Sequence, residues 1–427
     1  MEIVLTGGTL IDGTGTEPKP NTTIVIEGSK VAEISSKVRL KGESDFHDVS
    51  GKFIMPGIID THVHYMPWMQ WLISKQAYSL SYLFARGIAG MKGLLERGVT
   101  SARDMGGLEI GICQAQEEGL IPGPRTKIVC VIIQATNGLL DLLPGAGGAI
   151  TPQGISTFLP GLPSPWADGP DNCRKKVREA LRYGAHFIKM ANTAAAWHQP
   201  HLRPDRPLFT QVEVEAIVDE AHRAGTEVCC HVCGYISTQA VREALKGGVD
   251  LIDHGVFLDD ECIELMVERN VWFSPMFSVM KWHLEKNPLP YAREVAKRSL
   301  DLTIESFEKA VKAGVRICMG TDHAYEIGWH GDEIKAMVDY GMTPMQAIVS
   351  STKLASEALR MDDLVGTLEV GKEADLLVVD RDPLKEPVIL ADPKNLSLVM
   401  QAGRPCAGPM ASQFKYEAPP RIMNQFF

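Results

Sequence analysis

The stretch IIDTHVH, residues 58–64, opens a series of eight apolar segments that share one pattern. It is a short run of apolar and β-branched residues that ends in two histidines, and such a run is typical of a buried strand. The other segments are VTSARDM (99–105), TKIVCVII (126–133), FIKM (187–190), EVCCHV (227–232), LIDHG (251–255), VWFSPMF (271–277) and ICMGTD (317–322).

Helical patterns separate most of these segments. The patterns over 171–184 and 210–225, for example, both end in a glycine suited to a helix C-cap. Eight strand–helix units in sequence predict an α/β fold with a (β/α)8 TIM-like barrel, which we assign to residues 56–362. The alternative is an open doubly wound sheet, but the chain has no nucleotide-binding fingerprint and such a sheet would lack a ring of ligands at its strand ends.

The two ends of the chain have a different pattern. Residues 23–34, TIVIEGSKVAEI, alternate with period two, and residues 365–384 are strands joined by Gly- and Asp-rich turns. We predict that residues 1–55 and 363–427 build one small composite β-sandwich domain. The tail ends in Phe426–Phe427, which could dock on its own body or on a neighbouring subunit, so we expect a homo-oligomer.

Composition excludes several classes of protein. The 427 residues are 45% hydrophobic and 22% charged, which is an ordinary globular balance. A net charge of −10 without a basic cluster argues against nucleic-acid binding, and no apolar run approaches the roughly 18 residues of a membrane span. The N-terminus does not resemble a signal peptide, and the nine cysteines are odd in number and scattered, so we expect a reduced cytoplasmic protein. Cys230 and Cys233 form a C-x-x-C, but it lies in a strand-like segment and is weak as a redox motif.

Polar side chains lie at the same end of successive predicted strands. They are His62 and His64 on the first, Lys189 on the fourth, His231 on the fifth, His254 on the sixth and Asp322 on the eighth. Barrel enzymes keep their chemistry at the carboxyl ends of the strands, and imidazole and carboxylate groups bind zinc and similar divalent ions. Together these side chains predict a metal site. Taken singly, the histidines could be hydrogen-bonded core residues and Asp322 could be a helix N-cap.

Lys189 is surrounded in sequence by Phe187, Ile188 and Met190, where a charged ammonium is costly unless it finds a partner. One interpretation is an ion pair with an acid from another strand. The other is that burial beside cations lowers the pKa of Lys189, so that its neutral amine adds carbon dioxide. The product would be an N6-carboxylated lysine, whose two oxygens could bridge two metal ions.

The chain resembles the amidohydrolase superfamily over almost its whole length. The motifs that carry the resemblance are IMPGIIDTHVH, GAHFIKM, CCHVCG, LIDHGVFLDD, MGTDHAY and the closing VGTLEVGKEADLLVVDRDPL. Two further phrases, GLLERGVTSARDMGG and EEGLIPGPR, are similar to the imidazolonepropionase-related branch. That branch contains prolidase-like Xaa-Pro dipeptidases, carboxypeptidases and amidases of the ochratoxin-cleaving type.

The resemblance implies a binuclear site, most simply with zinc, that hydrolyses an amide bond of a small-molecule substrate. His62, His64 and Asp322 would hold the deeper ion, His231 and His254 the outer ion, and carboxylated Lys189 would bridge both. A hydroxide shared by the ions would attack the carbonyl, and Asp322 would carry its proton to the leaving nitrogen. Tyr235 would donate to the oxyanion, although it could instead be a capping aromatic at a helix start.

The loop after the third strand departs from this branch. Relatives commonly carry a GGHGD-like motif there, whereas this chain has QATNGLLDLLPGAGG (134–148), with Asn137 and no histidine. This departure puts dipeptide specificity in doubt. A contact with the substrate carbonyl would fall to Asn137, or would move to His198, His201 or His323.

Three connections between predicted elements are long, namely 134–170, 195–209 and 278–292. We expect irregular loops that form the substrate walls, with the first a candidate lid. The second lacks the SGG phrase of the relatives, and its Arg203 and Arg206 are candidates to bind a substrate carboxylate. The tryptophans in or beside these loops favour a bulky or aromatic substrate, although ordinary loop packing explains them equally. They are Trp166, Trp197, Trp282 and Trp329.

Other activities are compatible with the same ligands. A cyclic amide or lactone hydrolase and a dipeptidase stay open, since the same site could attack each bond. A heterocycle deaminase is less favoured, because such relatives generally lack the strand lysine. A non-catalytic binding homologue is less favoured because all six ligand positions are filled.

Overall fold

The computed structural model describes residues 2–36, 44–66, 79–139, 164–194, 205–322 and 329–415, in which both chain ends contribute to one mixed sheet. Numbered in chain order, its strands are β1 (Glu2–Leu10), β2 (Lys19–Glu27), β3 (Lys30–Ser35), β4 (Ser44–Asp48), β5 (Phe53–Pro56), β15 (Leu376–Val379), β16 (Leu396–Gln401) and β17 (Arg404–Ala407). The order is β17–β16–β15–β5–β1–β2–β3, and β4 pairs in parallel with the first half of β1.

Strand pairing joins the N-terminal and C-terminal parts of this sheet. Strand β15 runs antiparallel to β5, with Leu377 opposite Met55 and Val378 opposite Ile54. Ile54 and Val378 pack in one buried apolar cluster, whereas Met55 and Leu377 pack in another, so both faces of the sheet are covered at this point. The described strands of this region form a single sheet, and the sandwich arrangement and the exact domain boundaries stay predictions.

Parallel strands make up the central part of the chain. Strands β6 (Ile58–Val63), β7 (Val99–Asp104) and β8 (Arg125–Ile128) form a three-stranded sheet. Strands β9 (Ile132–Ile133), β10 (Ile188–Ala191), β11 (Val228–Val232), β12 (Leu251–His254), β13 (Trp272–Ser274) and β14 (Arg316–Ile317) form a six-stranded sheet in sequence order. Each predicted strand therefore overlaps an observed strand. The third is divided between β8 and β9, and the eighth overlaps β14 at Ile317 alone.

Backbone hydrogen bonds join the two parallel sheets at both edges. On one side, Thr61 N–H donates to the carbonyl oxygen of Met319 at 3.0 Å, which links the first strand to the segment after β14. On the other side, His186 N–H, just before β10, donates to the carbonyl oxygen of Ile128 in β8 at 2.8 Å. The division of the third strand occurs at Cys130, whose φ of 62° interrupts the extended backbone.

The helices of the described residues follow most of the central strands. They are α1 (Leu80–Glu96), α2 (Ile110–Glu117), α3 (Pro170–Arg182), α4 (Gln211–Arg223), α5 (Gln239–Gly247), α6 (Asp260–Glu268), α7 (Phe277–Lys286), α8 (Pro290–Ala313), α9 (Trp329–Asp339), α10 (Pro344–Ser350) and α11 (Lys353–Ala358). Short 3₁₀ helices cover Pro387–Ala391, Pro393–Asn395 and Ala411–Gln413. No helix in these ranges is long and apolar enough to cross a membrane.

Two apolar layers surround the central strands. Alternate residues such as Ile188 and Ile252 face a large cluster that includes the helices, whereas Phe187 and Leu251 belong to a second cluster. Residues of α11 and the segment after it join this second cluster. The polar side chains that follow along the same strands are thus positioned above a packed apolar layer.

The expectation of an irregular loop over 278–292 was wrong. The segment contains α7 and the start of α8, separated by Asn287 and its neighbours. The N-terminus of α7 is held by Glu333 of α9, whose carboxylate accepts hydrogen bonds from the backbone N–H groups of Phe277 at 2.9 Å and Ser278 at 2.7 Å. A cap from a residue so far along the chain leaves no local signal in the sequence.

Candidate metal centre

Two groups of ligand side chains meet at the carboxyl ends of the central strands. The first ligand group is His62, His64 and Asp322, and the second is His231, Cys233 and His254. Within each group the ligand atoms lie within 4.8 Å of one another. The rings of His62 and His254 are 5.6 Å apart between centroids, so the two groups are adjacent. Five of the predicted ligands therefore come together, along with one cysteine that was not predicted.

The imidazoles of the first ligand group are oriented by hydrogen bonds on their far sides. His62 Nδ1–H donates to Asp253 at 2.9 Å, and His64 Nδ1 lies 3.4 Å from the carbonyl oxygen of Gly106. The Nε2 atoms of His62 and His64 then face Asp322 Oδ1, at 3.5 and 3.3 Å. A histidine whose Nδ1–H is bound to an acceptor presents its Nε2 lone pair, which is the usual arrangement of a metal ligand.

Electrostatics in the first ligand group favour a cation. Burial lowers the pKa of His62 to about 4, so this imidazole is neutral. Burial alone would raise the pKa of Asp322, but the hydrogen bond with His64 and the nearby histidines outweigh it and keep the pKa below its usual range. Burial lowers the pKa of His64, and Asp322 more than reverses this. The space between the Nε2 atoms of His62 and His64 and the carboxylate of Asp322 therefore suits a metal ion.

Left-handed backbone at two ligands turns their side chains towards the site. Asp322 has φ 56° and His254 has φ 67°, a region that non-glycine residues rarely adopt. In a regular strand the adjacent Asp253 and His254 would point to opposite faces. Here His254 lies close to His62, the same ring that hydrogen-bonds Asp253. Strain of this kind recurs at functional sites because surrounding contacts hold it.

A close backbone approach brings Asp322 to the first strand. Asp322 N–H donates to the carbonyl oxygen of His62 at 2.8 Å. A Cβ on Gly320 would lie 2.6 Å from Ser274 Oγ and 2.9 Å from His62 Cβ, so a side chain at position 320 would push these groups apart. The glycine of the MGTD motif is therefore required by space rather than by an unusual φ.

The second ligand group consists of neutral donors in a buried position. The rings of His231 and His254 are 4.6 Å apart between centroids, with an interplanar angle of 75°. Burial lowers the pKa of His254 to about 3 and that of His231 well below its usual value. His231 Nε2 is buried without a hydrogen-bond partner among the described residues. A cation would satisfy a neutral, buried imidazole nitrogen of this kind.

Cys233 belongs to the second ligand group, although its sequence context suggested only a weak redox motif. It is fully buried, and its backbone N–H donates to Thr193 Oγ1 at 2.8 Å, which fixes the chain just after β11. The spacing of two residues from His231 on a strand was the available signal, because such residues point to the same face.

Lys189 is 1% exposed and its ammonium group contacts the carboxylate of Asp253, a residue of another strand. This contact is the ion pair with an acid from another strand that was one of the two interpretations of Lys189. Burial alone would raise the pKa of Asp253, but the charge of Lys189 and the hydrogen bond from His62 keep the pKa below its usual range. Asp253 connects the fourth strand to the first ligand group, and it was not among the predicted site residues. Its position beside a ligand in LIDHG was the only signal.

Asp60 is a second supporting carboxylate that was not predicted. It accepts hydrogen bonds from the backbone N–H groups of His62 and Thr321, both at 3.1 Å, and from Thr321 Oγ1 at 2.7 Å. Burial raises the pKa of Asp60 to about 7. Asp60 therefore holds the first strand against the segment that carries Asp322.

The residues predicted to contact substrate are only partly described. Asn137 is exposed with φ 61°, and Arg206 is exposed. Tyr235 is half-buried, with the guanidinium carbon of Arg298 5.2 Å from its ring centroid. Trp166 is buried and Trp282 half-buried. His198, His201, Arg203, His323 and Trp197 lie outside the described residues, as does the C-terminal Phe426–Phe427 pair.

Known proteins share both the sequence and the architecture. Residues 53–406 match the amidohydrolase family. Ochratoxinase of Aspergillus niger is 30% identical over 432 residues, which cover 95% of this chain and 87% of that protein. The crystal structure of A. niger ochratoxinase aligns with a TM-score of 0.83 at 27% identity, over 96% of each chain. A prolidase complexed with N-methylphosphonate-L-proline aligns with a TM-score of 0.87 at 28% identity, over 95% of this chain and 99% of that one.

The family match includes every residue of both ligand groups, because it begins at β5, before His62, and ends after Asp322, in β17. The donor set of neutral imidazoles and an ionised carboxylate is the kind that holds divalent metal ions. The chain therefore belongs to the amidohydrolase family and is a metal-dependent hydrolase that acts on carbon–nitrogen bonds.

Proposed function

We propose that this hydrolase cleaves the amide bond of a bulky or aromatic small molecule, and that it does so with two zinc ions. The single observation that carries the proposal is the adjacency of two buried ligand groups, with His62 of the first 5.6 Å from His254 of the second between ring centroids. Two ions in such a site can act together on the attacking and leaving groups of one reaction.

Each ion has its own ligands in this proposal. His62, His64 and Asp322 would hold the deeper ion, and His231 and His254 would hold the outer ion. When bound, the ions supply two kinds of chemistry: they make water acidic enough to provide hydroxide near neutral pH, and they polarise the scissile carbonyl. The hydrogen bonds of His62 to Asp253 and of His64 to Gly106 support this assignment, because they fix the rings with Nε2 inwards.

Asp322 moves the proton in the reaction. Its depressed pKa keeps the carboxylate ionised, so that it accepts a proton from the attacking water. The water oxygen forms a bond to the carbonyl carbon, and the carbon–nitrogen bond then breaks. Asp322 returns the proton to the leaving nitrogen, so that the products are an amine and a carboxylic acid, which then releases its own proton to water. Tyr235 donates a hydrogen bond to the carbonyl oxygen as negative charge develops there.

Lys189 is carboxylated in the active protein. Its amine nitrogen, once it has lost a proton, adds to the carbon of carbon dioxide, and the second proton leaves to give an anionic carbamate. The support for this step is position, because the Lys189 amine contacts Asp253, which in turn bonds His62. The carbamate would lie between the two ligand groups and could bridge both ions. The contact with Asp253 must open for this reaction to occur.

The substrate assignment rests on the relatives and on aromatic side chains. One relative is named for ochratoxin and another is a prolidase bound to a proline phosphonate. Trp166 and Trp282 lie in the connections that follow the third and seventh strands, where apolar walls would favour a bulky acyl or aryl group. Asn137, His198, His201, Arg203 and His323 stay candidates for polar substrate contacts.

The architecture that holds this site is a closed (β/α)8 barrel with a composite β-sandwich. The hydrogen bonds of Thr61 to Met319 and of His186 to Ile128 support closure, because they join the three-stranded and six-stranded sheets at both edges. We place the barrel at residues 56–362 and the sandwich at residues 1–55 and 363–427. We further propose a homo-oligomer, for which the apolar tail is the support, and a cytoplasmic location, for which the scattered free cysteines are the support.

Metal removal and return is the experiment that tests this function. The purified protein is stripped with a chelator, reloaded with zinc, and assayed on N-acyl aromatic amino acids, aryl amides, Xaa-Pro dipeptides and a lactone. We expect two zinc ions per chain and fastest hydrolysis of the aromatic amides, with activity lost on stripping and restored on reloading. Asp219→Asn, a substitution in an exposed ion pair with Arg174, is the control that should keep full activity.

Three outcomes would contradict parts of the proposal. Reloaded protein that hydrolyses none of the amides would refute amide hydrolysis as its function. A preference for small dipeptides would refute the bulky substrate. Lys189→Ala protein that still binds two zinc ions tightly, measured by mass spectrometry and metal analysis, would refute the bridging carbamate.

A further inference from the structure

Cys233 stands in the second ligand group without a role in the mechanism above. Its sulfur lies within 4.8 Å of the ligand nitrogens of His231 and His254, which are the two histidines of the outer ion. A neighbouring sulfur could be ordinary packing, since Cys233 also belongs to the large apolar cluster. Position alone therefore does not assign it a function.

A second observation concerns His231. This side chain is 6% exposed, and its Nε2 atom is buried without a hydrogen-bond partner among the described residues. A buried imidazole nitrogen in that state costs free energy unless something satisfies it. Because His231 and Cys233 are two residues apart on one strand and its extension, they face the same space, and a cation there would contact both.

The backbone holds the thiol in this position. Thr193 Oγ1, at the end of the fourth strand, accepts a hydrogen bond from Cys233 N–H at 2.8 Å. Thr193 is itself fully buried, so the contact ties the chain after β11 to the neighbouring strand. The backbone at Cys233 is thus fixed beside the fourth strand, two residues after His231.

We propose that Cys233 is a thiolate ligand of the outer ion, so that the outer ion occupies a His₂Cys site for zinc. This inference rests on the proposed two-ion site. On binding, the thiol proton is released to water and the sulfur donates its lone pair to the ion. Thiolate is a soft ligand that favours zinc over manganese or magnesium, whereas the carboxylate of the first ligand group does not discriminate in this way. The two positions of one site would then differ in the metals they accept.

X-ray absorption spectroscopy of the zinc-loaded protein tests this proposal without relying on activity. Zinc bonds sulfur at about 2.3 Å and histidine nitrogen at about 2.0–2.1 Å, so one thiolate is distinguishable from an all-nitrogen and oxygen environment. We expect one sulfur neighbour for every two zinc ions. Cys233→Ser should remove this sulfur neighbour. It should also lower the affinity for the outer zinc ion by at least about tenfold, measured by titration with a competing chelator.

Cys230→Ser is the matched control. Cys230 is another buried cysteine of β11, but it packs on the other face of the strand among apolar residues. We expect Cys230→Ser to keep the zinc–sulfur signal. If Cys233→Ser fails to fold, the wild-type spectrum still decides, because among the described residues Cys233 is the cysteine found in a ligand group.

The remaining outcomes separate this inference from the proposed function. Two bound zinc ions with only nitrogen and oxygen neighbours would refute the thiolate and leave the two-ion hydrolase intact. A sulfur signal that survives in folded Cys233→Ser would also refute it. Protein that binds no zinc would refute both proposals.

Discussion

The first ligand group contains a carboxylate and two imidazoles whose Nδ1 atoms face acceptors. The second contains a thiol and a histidine nitrogen that has no hydrogen-bond partner within the described part of the chain. The first is also tied to the fold by buried acids. Asp253 bonds one of its rings, and Asp60 holds its two strands together. The first group is therefore organised before an ion binds, while the geometry of the second is completed by the ion.

The buried carboxylates, and the hydrogen bonds that they accept, are therefore concentrated around the first ligand group. Glu333 adds to it from a distance, because Ser278 Oγ contacts both its carboxylate at 2.6 Å and the carbonyl oxygen of Thr321 at 3.4 Å. Thr321 directly precedes Asp322, so the start of α7 is coupled to the first ligand group. Substitutions that remove this support should affect the deeper ion far more than the outer one.

The largest expected effect comes from Asp322→Asn. Asparagine keeps the size of the side chain but has no negative charge and cannot carry a proton, so both the deeper ion and the proton transfer are lost. We expect kcat on the best amide substrate to fall by at least about 10³-fold. Kinetics combined with metal analysis measure this effect, and a variant with near-normal kcat would contradict the role of Asp322.

A selective loss of the deeper ion is expected for Asp253→Asn. The amide cannot supply the ionised acceptor for His62 Nδ1–H, so the ring is held less well for the deeper ion. We expect the affinity for the deeper ion to fall by about 10–100-fold, with a smaller change at the outer ion. Titration with a competing chelator resolves the two affinities. An equal loss of both ions would contradict the difference between the groups.

A smaller and steric effect is expected for Gly320→Ala. The added methyl group would meet Ser274 and His62, so we expect a loss of about 1–3 kcal/mol in the free energy of unfolding, together with weaker binding of the deeper ion. Gly90→Ala is the control, because position 90 lies within helix α1 and a Cβ there meets nothing within 4 Å. That change should stabilise the protein by about 0.5–1 kcal/mol. Chemical denaturation of both variants measures the contrast.

The smallest effect concerns pH and Glu333. Burial raises the pKa of Glu333 from 4.5 to about 7, so the folded protein keeps a proton that the unfolded chain loses between these values. The contribution of Glu333 to stability is therefore greatest below pH 4.5, decreases as pH rises towards 7, and is constant above it.

Glu333→Gln removes this dependence but also weakens the hydrogen bonds to Phe277 and Ser278. We expect the variant to melt below the wild type at pH 4.5, and the difference in Tm to shrink by a few degrees by pH 8. Metal-free samples of both proteins, heated at several pH values, make the comparison. A difference in Tm that grows with pH would contradict a raised pKa for Glu333 in the folded protein.

Sequence periodicity was sufficient to predict the central strands and the end at which the ligands gather. A buried strand needs a short apolar run, and residues at its carboxyl end, such as His62 and His64, can be polar. The groups that orient those ligands were harder to predict. Asp253 should point away from His254 in a regular strand, and only the left-handed backbone at His254 brings both to one site.

Other features were not predictable because their causes are distant in the chain. The helix over Phe277–Lys286 begins where Glu333 caps it, and nothing near residue 277 signals that contact. The resemblance to a family supplied the assignment of each ligand to an ion, which the residue types alone did not. The ligand pattern implied by the resemblance contains no cysteine, so it did not predict Cys233.

The junction at Gly57 has a consequence for protein engineering. A single glycine separates β5 of the terminal sheet from β6, and a Cβ at that position would come within 2.1 Å of Thr100 Oγ1. Strand β15, from the far end of the chain, pairs with β5 directly before this junction. The terminal sheet is therefore not an interchangeable module. A chimera that takes its last strands from another family member must preserve their register on β5, or the misalignment will reach His62 and His64 after only a few residues.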